Sequence, residues 1–137
     1  TEMAKVKEVL TSARITCHSI SGEDTMTERI AYMESFLSNK ARVLLCQIKC
    51  GRFGLNLSNA STAIYYSNSY DYEDRAQSED RILHPSKREP LLYIDLITKD
   101  TIDEDVVNIL RDKSVSSRLF MTKLTEKWKE KYKCISP

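Results

Sequence analysis

The feature that most constrains the fold is the alternation of short apolar runs with charged segments that have helical spacing. The continuous run over residues 42–48 is typical of a strand buried on both faces, as in a parallel sheet. Similar runs predict three more strands, over residues 14–20, 62–66 and 91–97. Strands that alternate with helices favour an α/β fold with a mostly parallel sheet flanked by helices.

Four other segments are predicted to be helices, and a glycine-containing turn is predicted at Gly51 to Gly54. Residues 2–12 carry apolar side chains at helical spacing, and the charged segment 71–83 is also predicted to be helical. Two further helices are predicted to begin at Thr-x-x-Glu capping boxes, at Thr25 and Thr101, and the second is expected to reach Lys113. No internal repeat interrupts this pattern.

Composition restricts the kinds of partner. The 137 residues have the length of one domain, and a net charge of +1 confines any nucleic-acid surface to a local patch. The four cysteines form no Cys-x-x-Cys pair, so no metal site is predicted. A reducing, intracellular setting is expected, either cytoplasmic or in the nucleoid or nucleus. No apolar run is long enough to cross a membrane, and no membrane partner is expected.

The stretch between the second and third predicted strands carries the most specific pattern. It resembles motif V of Swi/Snf-type superfamily 2 helicases, Lys-Ala-Gly-Gly-x-Gly-Leu-Asn-Leu, with Arg52 at the second glycine. In this chain it reads Lys49-Cys50-Gly51-Arg52-Phe53-Gly54-Leu55-Asn56-Leu57. The resemblance implies that Gly54 and Asn56 face the nucleotide. It also implies that Gln47 and Lys49 lie near the nucleic-acid backbone. A glycine turn alone is equally typical of a tight connection.

Further along the chain, Gln77-Ser78-Glu79-Asp80-Arg81 resembles motif VI of the same family, Gln-Ala-x-x-Arg. Residues four apart on a helix share one face, which places Gln77 beside Arg81. The resemblance implies that Gln77 contributes to the ATP site and that Arg81 is an arginine finger. Such a planar cation stabilises the charge that develops on the γ-phosphate. Without the resemblance, a surface ion pair between Arg81 and Glu79 is the simpler interpretation.

The second arginine of motif VI is absent. At its position stands His84, and the family's Arg-x-Gly-Gln becomes His84-Pro85-Ser86-Lys87. A neutral histidine does not supply the same bidentate charge. Two alternatives stay open: Lys87 or Arg88 replaces the missing arginine through a displaced loop, or ATP turnover is impaired.

Two further blocks match the family in order and spacing. Residues 21–29 resemble its Asp-Gly-Ser-x-x-x-x-x-Arg region, which implies that Gly22 and Arg29 contact nucleic-acid phosphate. Acidic side chains crowd this helix start, so a simple surface cap is an equal alternative. Residues 96–104 resemble its Leu-Ile-Thr-x-x-Thr-x-Glu-Glu block, which we interpret as structural.

The resemblance implies a RecA-like three-layer α/β lobe over residues 1–113 that lacks its usual first strand. Residues 114–137 are predicted to form a basic helical extension. This extension is either a solvated segment that packs on a neighbour or a basic arm that contacts nucleic-acid phosphates.

The chain contains no Gly-x-x-x-x-Gly-Lys-Ser/Thr, and the Asp-Glu pair with which the family holds magnesium has no counterpart. We therefore expect ATP and Mg²⁺ to be bound mainly by an N-terminal RecA-like lobe, which is then a partner of this chain. The expected function is that of the second motor lobe of a DNA helicase or translocase, inactive as an ATPase alone. The sequence does not distinguish DNA from RNA. The alternatives are a degenerate binding module and an unrelated α/β domain.

Overall fold

A computed structural model describes residues 1–49, 55–83 and 87–112, together with residues 122, 125–127 and 130. These residues contain four helices and four strands, in the order that the sequence predicts. The elements are α1 (Glu2–Ser12), β1 (Cys17–Ile20), α2 (Met26–Leu37), β2 (Val43–Cys46), β3 (Thr62–Tyr65), α3 (Tyr72–Asp80), β4 (Leu92–Asp95) and α4 (Ile102–Arg111). Each strand lies inside a predicted apolar run but has only four residues.

The chain divides into two compact units. The first unit comprises Thr1–Ser61 and Gln77–Leu91, and the second comprises Thr62–Ala76 and Leu92–Pro137. Each unit holds one pair of strands, β1 with β2 and β3 with β4. Both pairs are parallel, as the continuous apolar runs predict.

The first unit is built around the pair of β1 and β2. The register aligns Cys17 with Val43 and Ile20 with Cys46, and α2 supplies the crossover that a parallel pair requires. Ile20 is fully buried and forms a core with Leu55. Four half-buried side chains pack against this core: Tyr32, Met33, Leu44 and Leu57.

Helices α1 and α2 end in the same way, with one residue in the left-handed region. Arg14 has φ 57° and Asn39 has φ 58°. In each case the next backbone N–H donates to the carbonyl five residues earlier, over 2.9 Å. This is the Schellman arrangement, which satisfies carbonyls of the last helical turn. The chain therefore turns sharply from each helix toward the next strand.

The two predicted capping boxes have different outcomes. At Thr25 the box is complete, because the threonine hydroxyl accepts from the N–H of Glu28 and the glutamate accepts from the N–H of Thr25. Thr101 is the N-cap of α4, as predicted, but its hydroxyl accepts from the N–H of Asp103, at 3.3 Å. The predicted N-cap is confirmed, but its hydrogen-bond partner is Asp103 and not Glu104.

The second unit pairs β3 with β4, and Thr62 is aligned with Leu92. Helix α4 buries Val106 and Val107. It ends at Arg111, and the predicted continuation to Lys113 lies outside the described residues, as does most of the predicted extension over residues 114–137. The described residues 122, 125–127 and 130 are helical. In the described part of the chain, no helix combines the length and apolar character needed to cross a membrane.

Candidate functional site

The carboxyl ends of β1 and β2 lie at one edge of the first unit. Gly22 follows β1, and Gln47 and Lys49 follow β2 with exposed side chains. The N–H of Gln47 donates to the carbonyl oxygen of Ile20 at 3.4 Å, which holds the two strand ends together. Ligands of open α/β sheets bind beyond this edge. The structure thus brings together three of the four residues predicted to contact nucleic acid.

Arg29, the fourth of these residues, is turned inward. Its exposed fraction is 6%. Its Nη2 donates to the carbonyl oxygens of Ser21 and Gly22, at 2.9 and 3.3 Å. Arg29 therefore fixes the loop that follows β1, and its contact with phosphate stays a prediction. A Cβ added to Gly22 would meet no atom within 4 Å, so packing inside the chain does not require glycine there.

Carboxylates accept hydrogen bonds from two backbone N–H groups in the segment that leads into α2. Asp24 accepts from the N–H of Ser21 at 2.5 Å, and Glu28 accepts from the N–H of Thr25 at 2.9 Å. The hydrogen bond from the Ser21 backbone lowers the pKa of Asp24, and the bonds from Thr25 lower the pKa of Glu28. The start of α2 therefore has the hydrogen bonds of a helix cap. This matches the alternative interpretation of residues 21–29 as a surface cap.

Motifs V and VI are joined by their backbones in the first unit. The N–H of Leu57 donates to the carbonyl oxygen of Arg81 over 3.2 Å. Asn56 is exposed, and its Oδ1 accepts from the N–H of Ser58 at 3.0 Å. Gln77 is also exposed, and Arg81 is half-buried. Segments that are distant in the sequence thus meet where the resemblance places the ATP site.

The structure corrects the setting of Arg81. The sequence predicts that Gln77 and Arg81 share a helix face, but α3 ends at Asp80 and Arg81 lies in the turn that follows. Buried Ile82 anchors this turn, and its N–H donates to the carbonyl oxygen of Glu79 at 3.0 Å. A turn directs the Arg81 side chain independently of the helical period.

The neighbourhood of the missing second arginine is partly described. Gly54 and His84 lie outside the described residues. Lys87 is half-buried, and its ammonium donates to the carbonyl oxygens of Ser58 and Ala60. Arg88, the other predicted substitute for the second arginine, is exposed. No sequence pattern pointed to the contacts of Lys87, because its acceptors are backbone atoms 27 and 29 residues away.

A second charged cluster, which the sequence analysis missed, lies in the second unit. Arg75 is a buried side chain of the mainly polar helix α3. Its Nη1 donates to Asp95 at 2.5 Å and to Asn68 at 2.8 Å. The guanidinium carbon of Arg75 lies 3.4 Å from the centroid of the Tyr65 ring. Burial raises the pKa of Asp95, but the hydrogen bonds from Arg75 and Asn68 outweigh burial and leave that pKa below its ordinary value.

The chemistry available at the junction of the two motifs is that of anion binding. A guanidinium at Arg81 and amides at Asn56 and Gln77 are donors that suit phosphate oxygens. Among the residues that the structure describes, no group of three or more His, Cys, Asp or Glu side chains could hold a metal ion. The donors at this junction are therefore of the kind that binds phosphate oxygens.

Known proteins are similar to this chain in sequence. Residues 1–85 match the family model described as helicase conserved C-terminal domain. The chain is 28% identical over 103 residues to CHROMATIN REMODELING 19 of Arabidopsis thaliana, covering 74% of this chain and 13% of that protein. It is 30% identical over 109 residues to the ATP-dependent helicase fft2 of Schizosaccharomyces pombe, covering 79% of this chain and 8% of that protein. It therefore spans only a small part of these relatives.

A solved structure shows the same fold. The C-terminal part of the Fun30 ATPase domain superposes with a TM-score of 0.73 and 20% sequence identity, covering 91% of this chain and 45% of that chain. The likeness confirms the predicted RecA-like α/β fold with its parallel strands.

Proposed function

The chain belongs to the family of helicase conserved C-terminal domains, and from this premise we propose that it is the second motor lobe of an ATP-dependent DNA helicase or translocase. The observation that carries the proposal is the hydrogen bond from the N–H of Leu57 to the carbonyl oxygen of Arg81. It joins the segment that carries Asn56 to the turn that carries Arg81. The two motifs that the family uses at its ATP site are thereby adjacent.

Arg81 is the proposed arginine finger. When the first lobe binds ATP and closes on this lobe, the Arg81 guanidinium reaches the γ-phosphate and stabilises the charge on its oxygens. Asn56 and Gln77, with Gly54, line the nucleotide side. Mg²⁺ and most phosphate contacts belong to the first lobe, because this chain has no Gly-x-x-x-x-Gly-Lys-Ser/Thr loop.

The edge beyond β1 and β2 is the proposed nucleic-acid track. Lys49 supplies an exposed positive charge there, Gln47 supplies an amide, and Gly22 lets the backbone come close to a phosphate. Arg29 supports the Gly22 loop from inside. Contacts to phosphate carry no sequence information, so binding is expected to be independent of DNA sequence. Similarity to CHROMATIN REMODELING 19 favours duplex DNA in chromatin, and hence a nuclear location.

We further propose that the lobe extends over residues 1–113 and that residues 114–137 form the basic extension. The Nζ of Lys127 lies 2.5 Å from Oδ1 of Asp105 on α4. This ion pair favours the interpretation in which the extension packs on protein. The Lys127 side chain is 64% exposed, and exposed ion pairs contribute little to stability. The alternative, that basic side chains of the extension contact nucleic-acid phosphates, stays a prediction.

The test is ATP hydrolysis by the full-length protein, with and without duplex DNA. We expect DNA to stimulate turnover, and we expect Arg81→Ala to lower kcat by about a hundredfold or more, the range of an arginine finger. Arg81→Lys is expected to recover little, because an ammonium lacks the planar fork. Arg42→Ala is the matched control, because Arg42 is an exposed arginine at the opposite end of β2. Turnover that is indifferent to Arg81→Ala would contradict the assignment.

The separated chain is expected to hydrolyse no ATP. Turnover by the purified 137-residue chain that disappears with Arg81→Ala would contradict the proposed division of labour between the two lobes.

A second candidate function is a non-catalytic module that binds DNA. It is favoured by His84 at the position of the second arginine and by Lys87, whose ammonium is engaged by two backbone carbonyls. DNA binding by the full-length protein, without ATP turnover under any condition, would select this candidate.

A further inference from the structure

Lys87 connects the segments on either side of the proposed ATP site. Its Nζ lies 2.9 Å from the carbonyl oxygen of Ser58 and also donates to the carbonyl oxygen of Ala60. These acceptors stand two and four residues after Asn56, and Lys87 follows Arg81 by six residues. All of these residues belong to the first unit.

The contacts of Lys87 form a second connection beside the backbone bond from Leu57 to Arg81. The turn at residues 57–60 is closed by a bond from the N–H of Ala60 to the carbonyl oxygen of Leu57, at 2.9 Å. Lys87 therefore binds a turn that is already held to Arg81 through Leu57. The turn is therefore bonded to two positions of the segment 81–87, the Arg81 carbonyl and the Lys87 ammonium.

A lysine is suited to this position by its chemistry. Its ammonium has three donors and accepts none, so two carbonyl oxygens can share it. Bonds from a charged donor are stronger than neutral ones, and this side chain is half-buried, where competition from water is reduced. The resembled motif VI has glutamine here, which is neutral and one atom shorter.

We infer that Lys87 is a positioning residue for ATP hydrolysis, which fixes the turn after Asn56 against Arg81 and so sets the finger. The inference rests on the proposed function. Lys87 acts through Arg81 and does not replace the missing second arginine, because its ammonium is committed to Ser58 and Ala60.

The test is steady-state ATP hydrolysis by the full-length protein with saturating duplex DNA, for wild type, Lys87→Met and Lys87→Arg. Methionine keeps the apolar stem and removes the donors. We expect Lys87→Met to lower kcat by about tenfold. This is less than the roughly hundredfold loss that a 1 Å misplacement of a catalytic group can cause. The KM for ATP should change by less than about twofold, because an interaction made only in the transition state is lost. Lys87→Arg keeps the donors and should recover most of kcat.

Measurements well below the melting temperature of every variant exclude a loss of folded protein as the cause. The double variant Lys87→Met with Arg81→Ala supplies the decisive comparison. If Lys87 acts through Arg81, the double variant is no slower than Arg81→Ala alone; multiplied losses would overturn the inference. An unchanged kcat for Lys87→Met, in a protein that Arg81→Ala disables, overturns the inference and leaves the proposed function standing. Wild-type protein without turnover overturns both.

Discussion

Arg75 holds Asp95 with both of its terminal nitrogens, Nη1 at 2.5 Å from Oδ1 and Nη2 at 3.4 Å from Oδ2. The side chains are 10% and 14% exposed, so the pair is largely withdrawn from water. Tyr65 covers the guanidinium and Asn68 bonds to both partners. Each charge in this cluster is therefore compensated, and removal of one partner leaves the other buried without compensation.

Loss of the Arg75 guanidinium is expected to destabilise the protein strongly. Arg75→Met should lower the free energy of unfolding by about 3 kcal/mol, because breaking a buried pair leaves an uncompensated carboxylate. Arg75→Lys keeps the charge without the bidentate geometry and should lie between wild type and Arg75→Met. Urea unfolding measures both values. A loss from Arg75→Met no larger than that from an exposed control, Arg42→Met, would show that the pair contributes little.

Acid is expected to weaken the same cluster. The pKa of Asp95 in the folded protein lies below its ordinary value of 3.8, so the folded state favours the ionised carboxyl. The resulting stability is present above the unfolded pKa and is lost as pH falls through the folded pKa. The difference in unfolding free energy between wild type and Asp95→Asn should therefore be constant near neutral pH and shrink below about pH 4. A difference that does not change on acidification contradicts this assignment.

The core of the first unit depends on Ile20, which is fully buried between Leu55 and the side chains around it. Ile20→Ala should cost about 2–5 kcal/mol, and Ile20→Val about 0.5–1.5 kcal/mol, because a close-packed site does not collapse around a deletion. Ile30→Ala is the matched control: Ile30 is 50% exposed on α2, and its change should stay near 0.5 kcal/mol. Thermal unfolding ranks the three variants, and equal costs for Ile20→Ala and Ile30→Ala would contradict the assigned core.

Much of the fold was predictable because its signals are local. Apolar runs predicted all four strands, and the Thr25 capping box predicted the start of α2. The meeting of motifs V and VI followed from the family resemblance. The bond from Leu57 to Arg81 adds a geometric reason that the sequence does not contain.

Contacts between distant residues could not be predicted in this way. Arg75 has the same local surroundings as the exposed charges of α3, and its burial is explained by partners outside the helix, among them Asp95, 20 residues away. The bond from Arg29 to the carbonyl oxygen of Ser21 could not be anticipated, because a sequence match does not show where a guanidinium points; the contact of Arg29 with phosphate stays a prediction. The end of α3 before Arg81 depends on the burial of Ile82. Each of these depends on tertiary packing, which overrides helical period and motif spacing.

The left-handed residues at the ends of α1 and α2 offer a last test, because they separate backbone strain from side-chain contacts. A residue with a Cβ is strained at the φ 57° of Arg14, whereas glycine adopts that conformation at little cost. Arg14→Gly removes this strain but also raises the conformational entropy of the unfolded chain. The net result should be an increase of up to about 1 kcal/mol in the free energy of unfolding. Asn39→Ala should lower the free energy of unfolding, since asparagine tolerates this region better than alanine.

Arg42→Gly is the control: Arg42 directly precedes β2 and its φ is not in the left-handed region, so glycine should destabilise the protein there. Chemical denaturation measures all three, and destabilisation by Arg14→Gly comparable to that of Arg42→Gly would show that Arg14 contributes through its side chain.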